Sequence, residues 1–242
     1  PQSNAEPLGF LVSNQHIRKA VYEEFAATEA ADLWESATVT QVHTDDGGGY
    51  ITLADGRTLS AQLVIAADTR FSSSRRLMGI ASDYYDYGRS AILCVMEHER
   101  PHHYTALECF LYGGTLAVLP LNGNRSSIVI TVNSADVPGL LALDENAFNR
   151  EVERRTGSRL GRMTQTGERY HYPLVGVHAR QFYAKRFALV GDAAVGMHPV
   201  TAHGFNLGLA GQDLLVQAIS VALSANTPFW APAVLKAYQN RH

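Results

Sequence analysis

Cysteine is scarce: Cys94 and Cys109 are the only two in 242 residues. They sit in no CxxC pair and match no metal-ligand spacing. That removes a disulfide framework and a cysteine-based zinc site, and suits a reducing compartment. An excess of basic charge is also missing. Lys and Arg number 20 against 23 Asp and Glu, a net charge of -3, and no basic stripe or recognition helix offers itself to nucleic acid. No basic segment followed by an apolar one stands at the N-terminus, so no signal peptide is read there. No run approaches the ~18 apolar residues of a membrane span. These absences lead to the expectation of a cytoplasmic chain, with peripheral membrane contact left open.

What is present is a globular composition, 46% hydrophobic and 18% charged,. Leu8–Val12 reads as a short strand. Asn14 or Gln15 then opens a helix whose apolar positions Ile17, Ala20, Val21 and Phe25 recur three and four residues apart,. A β-rich stretch follows. "ATVTQVHT" alternates with period two, "DDGGG" turns, "YITLA" continues, and Asp55-Gly56 turns again into Leu63–Ala67, expected to be a buried, fully apolar strand,. Residues 86–133 carry four further strand patterns, 137–158 reads as helical, "ERYHYPL" as a strand and 228–242 as a terminal helix. The fold class is α/β (α+β) with two lobes. One is discontinuous, 1–80 with 174–242; the other, 81–173, is an antiparallel β-sheet.

The stretch with the most chemistry is "RFALVGDAAVGMHPVTAHGFNLGL", Arg186 to Leu209. "FALV" is continuous and apolar, as in a strand covered on both faces. Asp192 stands just past its carboxyl end, where open α/β sheets bind ligands, and a carboxylate there can accept hydrogen bonds from polyol hydroxyls. Pro199 stiffens the following loop and Gly204 leaves room for a close approach. From Asn206 the spacing is helical, so a helix N-terminus with free N–H groups and a positive dipole end stands at the loop. On spacing alone, a capped turn with packing glycines explains the pattern equally well. In "EHERPHHY", His98, His102 and His103 lack partner ligands and read as exposed turn residues, and no metal site is expected,.

The Gly-Asp-Ala-Ala, His-Pro and Gly-Phe-Asn-Leu-Gly-Leu elements of that stretch resemble the second flavin motif of the FAD-dependent aromatic-ring hydroxylases, the ubiquinone-biosynthesis branch above all. "VIAADTRFSSSRR" is similar to the family's Asp-Gly-x-x-Ser-x-x-Arg motif, with Asp68, Ser72 and Arg75 in register. "LGFLVSNQHIRKAV" resembles a segment beside the flavin, and "GGTLAVLPLNGNRSSIVITV" the family's substrate sheet. The resemblance implies an FAD-binding lobe over 1–80 and 174–242, a substrate lobe over 81–173, FAD as cofactor and NAD(P)H as co-substrate. It implies that Asp192 holds the polyol, that Pro199, Gly204, Asn206 and Leu207 lie along the ring, that Gly191 and Phe205 also belong to the cofactor-binding set, that Asn14 contacts the flavin, and that Asp68 and Arg75 couple FAD to NAD(P)H. His198 and His203 are the candidate acid–base groups, with loop-ordering hydrogen bonds as the ordinary alternative. The implied activity is NAD(P)H- and O2-dependent hydroxylation of an aromatic or quinone-type substrate such as a ubiquinone precursor.

Three departures stand beside the resemblance. The 242 residues contain no Gly-x-Gly-x-x-Gly turn for the FAD pyrophosphate,. The resemblance therefore implies that the N-terminal dinucleotide-binding unit and the C-terminal end are lacking. FAD affinity is then expected to be weak or nil, with self-association through exposed sheet edges. Thr69 replaces the motif glycine, and Ala202-His203 stands where Gly-Gln is common. The alternatives kept open are an inactive piece or interaction module without flavin, and another flavin oxidoreductase of the same fold.

Overall fold

The computed structural model describes residues 9–29, 31–198 and 202–242. Helix α1 (Asn14–Ala26) comes first, then strands β1 (Val39–Thr44), β2 (Gly49–Leu53), β3 (Thr58–Ala61) and β4 (Val64–Ala66), and the short helix α2 (Ser73–Leu77). Strands β5 (Ser82–His98), β6 (Leu107–Leu111), β7 (Gly114–Pro120) and β8 (Arg125–Asn133) follow, then helices α3 (Val137–Leu141) and α4 (Glu145–Arg155). The last third holds β9 (Met163–Ala179), β10 (Tyr183–Ala184), β11 (Phe187–Leu189), β12 (Val195–Gly196), α5 (Gly204–Ser224) and α6 (Pro232–Arg241). Helix and sheet are mixed, in line with the expected class.

The chain divides into two compact units. The first comprises Gly88–Pro173 and the stretch up to Leu33, the second Trp34–Tyr87 and Leu174–His242. The expected division differs at two points. Its 80/81 boundary lies instead within β5, and α1 groups with the sheet unit rather than with the discontinuous lobe.

In the first unit the sheet is antiparallel, with β5, β8, β7 and β6 side by side in that order. Alternate residues of β8, Ile128, Ile130 and Val132, face a core shared with Ile92, Met96, Leu116 and Val118. Phe148 and Val152 of α4 close that core. Asp144 caps α4 by accepting from the Ala147 amide at 2.7 Å. Burial pushes the Cys94 thiol up to about 12, so it behaves as a small apolar core group. His98 and His102 require a correction, since both are buried rather than exposed. His98 shares hydrogen bonds with the Arg100 carbonyl at 2.8 Å and the Ser126 hydroxyl at 3.0 Å, and His102 bonds the Leu121 carbonyl at 2.9 Å. Both imidazoles thus tie turns to the sheet. Residues 9–12 form no strand, since a lone apolar segment without a pairing partner gains no ladder. Ser13 caps α1 by accepting from the His16 amide, yet the helix buries no residue.

In the second unit, β1, β2 and β3 form the expected meander. β11 pairs parallel to β4, Phe187 opposite Val64 and Leu189 opposite Ala66, and antiparallel to β10. Phe187, Ala188, Leu189 and Val190 are all buried, as a strand covered on both faces requires,. In β4, Val64 and Ala66 are buried and Ile65 is 47% exposed, so the strand keeps an exposed apolar face. β4 is the last strand of its three-stranded sheet and is covered on one face only. Tyr238 of α6 is fully buried and donates to the Leu189 carbonyl at 2.7 Å. Burial pushes its phenol up to about 12.

Helix α5 corrects the expectation about apolar length. It is long and apolar enough to cross a membrane by length and composition, with mean hydropathy 1.4, and 17% of that window is buried. Asn206, Gln212, Asp213 and Gln217 interrupt the run as letters without lowering its average below that of a span.

Candidate functional site

The site candidates of the second unit converge on the turn after β11. Val190 is extended at φ -134°, and Gly191 then takes φ +57°. That left-handed region is open to glycine at little cost and costs other residues roughly 1–2 kcal/mol. The reversal makes Gly191–Ala193 a single 3-10 turn and leaves the Asp192 side chain 39% exposed at the end of a buried strand. Gly208 of α5 packs on this turn: a Cβ there would lie 3.6 Å from the Gly191 Cα. One turn earlier, α5 opens at Gly204, whose missing Cβ would meet nothing within 4 Å. The Leu207 amide bonds the His203 carbonyl at 2.8 Å, while the first amides of a helix have no partner within it.

A second loop, leaving β4, is joined to this turn. The Asp68 carboxylate accepts from the Ser72 hydroxyl at 2.5 Å and the Ser74 amide at 3.0 Å. Burial opposes its ionisation, but these hydrogen bonds outweigh burial and hold the carboxyl below its ordinary value,. Ser72 in turn caps α2, accepting from the Arg75 amide at 2.9 Å. Arg75 is only 4% exposed. Its guanidinium donates to the Ala193 carbonyl at 2.7 Å and to the Arg70 carbonyl at 3.0 Å, while its Nε has no partner. Burial lowers its basicity and Asp68 partly restores it. Arg75 therefore acts as a strut between the two loops.

Sequence reasoning missed Arg70. Its Nε and Nη2 both donate to Asp192 Oδ2, at 3.1 and 2.9 Å, and its Nη1 donates to the Val175 carbonyl at 3.0 Å. Gly196 was missed with it, since a Cβ at 196 would lie 2.8 Å from the Arg70 Cβ. The only signal in the sequence was an arginine inside a motif already singled out.

The remaining candidates are placed as follows. His198 meets the Tyr87 ring edge-on at 4.7 Å, and burial holds its pKa below the ordinary histidine value, so it is neutral at pH 7. His203 is exposed and sits at the N-cap of α5 without a side-chain cap bond. Phe205 and Asn206 are exposed and Leu207 is half-buried. A cleft of about 460 Å³ adjoins Leu207, with His178, Phe182, Val195 and Met197 also lining it. Pro199 lies outside the described residues. Asn14 is the first residue of α1, in the other unit. Among the described residues no group of three His, Cys, Asp or Glu could hold a metal ion.

The signature of the family described as "FAD binding domain" matches residues 7–241. The chain belongs to that family. It is 42% identical over 238 residues to "Ubiquinone hydroxylase UbiM" of Neisseria meningitidis, covering 98% of this chain and 52% of the relative. It is 42% identical over 233 residues to "Ubiquinone hydroxylase UbiL" of Rhodospirillum rubrum, covering 96% of this chain and 54% of the relative. The chain thus spans about half the length of these curated relatives. Among solved structures, PqsL of Pseudomonas aeruginosa, "a probable FAD-dependent monooxygenase", aligns with a TM-score of 0.78 at 21% identity, over 93% of this chain and 64% of that one. At that identity the likeness concerns the fold.

Proposed function

We propose that this chain supplies the part of an FAD site that holds the flavin's polyol and ring edge, in a monooxygenase that hydroxylates an aromatic ring. The observation that carries this reading is the Gly191 turn. A left-handed glycine at the end of a buried strand presents one carboxylate, Asp192, beside the start of α5. A carboxylate accepts hydrogen bonds only, which suits the ribityl or ribose hydroxyls of FAD. The α5 N-terminus, whose first amides have no partner within the helix and which carries the positive dipole end, suits the electron-rich edge of the ring. Gly204 leaves open space where a ring needs backbone approach,. The residues present therefore fit the group at this half of the site.

When bound, FAD would supply the redox chemistry, taking electrons from NADH or NADPH and using O2 to place one oxygen atom on the ring. The protein's share is orientation, electrostatics and exclusion of water. His198, whose pKa is lowered by burial and which meets the Tyr87 ring edge-on, and His203 are the candidate groups for proton transfer. The named activities of the 42%-identical relatives favour a ubiquinone precursor as the substrate class. The test is direct titration of FAD into the purified chain, followed by quenching of flavin fluorescence. Weak, saturable binding on the order of 100 µM, about 5.5 kcal/mol, is expected. Fluorescence that stays unquenched up to 1 mM FAD refutes the reading.

A further inference from the structure

We propose that Arg70 is a positioning residue for flavin binding: it fixes the Asp192 carboxylate so that Oδ1 faces the polyol hydroxyls. The inference rests on the reading of Asp192 given above. Arg70 commits two donors of its guanidinium to one oxygen, Asp192 Oδ2, at 3.1 and 2.9 Å, and anchors the third on the Val175 carbonyl at 3.0 Å. A planar guanidinium held at both edges fixes the carboxylate's rotation, which a point charge such as lysine does not. The other oxygen, Oδ1, is the one that none of these three bonds uses. The backbones on both sides are fixed as well, because Arg75 donates to the carbonyls of Arg70 and Ala193, next to Asp192.

The room for this arrangement comes from Gly196. A Cβ there would stand 2.8 Å from the Arg70 Cβ and 3.5 Å from its Nε. The crowded atom is the root of the side chain rather than its flexible end, so even Gly196→Ala must displace Arg70. Three residues from three elements, 70, 192 and 196, thus form one device whose output is the direction of a single oxygen.

The test compares three probes by fluorescence titration: FAD, riboflavin, which carries the ribityl chain, and lumiflavin, which has the ring but no polyol. Arg70→Ala is expected to weaken FAD and riboflavin about tenfold and leave lumiflavin unchanged. Gly196→Ala should reproduce that selective loss, and Arg70→Lys should recover only part of it. Asp192→Ala should lose as much as Arg70→Ala or more, and the double variant no more than Asp192→Ala alone. Melting curves of each variant verify the fold. Loss of lumiflavin binding in parallel, or no loss with riboflavin, overturns the role of Arg70 while leaving Asp192 standing. Undiminished riboflavin binding by Asp192→Ala overturns the site reading itself, and the inference falls with it.

Discussion

Replacing Arg75 by Met separates a strut from a cofactor ligand. The side chain is 4% exposed and makes two charged hydrogen bonds, to Ala193 at 2.7 Å and to Arg70 at 3.0 Å. Each such bond contributes about 1.5–3 kcal/mol, so their loss costs roughly 3–6 kcal/mol. Two terms offset it. The unpartnered Nε is no longer buried, and a guanidinium no longer has to be desolvated, a cost of several kcal/mol that ion-pair replacements often recover in part. The net loss is about 3 kcal/mol. For a chain of this size each kcal/mol moves the melting midpoint by roughly 2–4 °C, so thermal unfolding followed by circular dichroism should show a fall of about 6–12 °C. If Arg75→Met melts within about 2 °C of the parent while flavin binding is lost, Arg75 is a ligand-binding group and the strut assignment is refuted.

Two further outcomes are expected. Ala202 holds φ +52° just before α5, a strain of roughly 1–2 kcal/mol for a residue with a Cβ, part of which glycine returns as backbone entropy. Ala202→Gly should stabilise the chain by about 1 kcal/mol, a rise of roughly 2–4 °C in the melting midpoint. His198 bears on pH. Burial depresses its pKa in the folded chain, so below about 6.5 the unfolded chain takes up a proton that the native chain resists. Its contribution is complete above that value and is lost as the pH falls towards the folded pKa. Urea midpoints between pH 7.5 and 5 should therefore fall less steeply in His198→Gln than in the parent, and equal slopes contradict the assignment.

The legible parts of the fold are those encoded by neighbours in sequence. The unbroken "FALV" run shows a strand covered on both faces, the alternation in "SSIVITVN" shows one face inward, and Gly191 fits the positive φ that its turn requires. Other features depend on residues far apart. The apolar letters of Leu63–Ala67 do not say which face a neighbour covers, so Ile65 could not be singled out as the exposed residue. His98 and His102 looked like turn residues because their partners lie 28 and 19 residues away. Arg70 and Asp192 are 122 residues apart, and no local pattern links them. Ala202 shows the converse, since a left-handed position without glycine leaves no mark in the sequence.

The central claim is that Asp192 holds the flavin polyol, and a crystal structure of the chain soaked with riboflavin tests it most directly. The account predicts a ribityl hydroxyl about 2.6–3.0 Å from Asp192 Oδ1, with Arg70 still on Oδ2. A riboflavin bound with its polyol away from Asp192, or seated elsewhere on the chain, would contradict it.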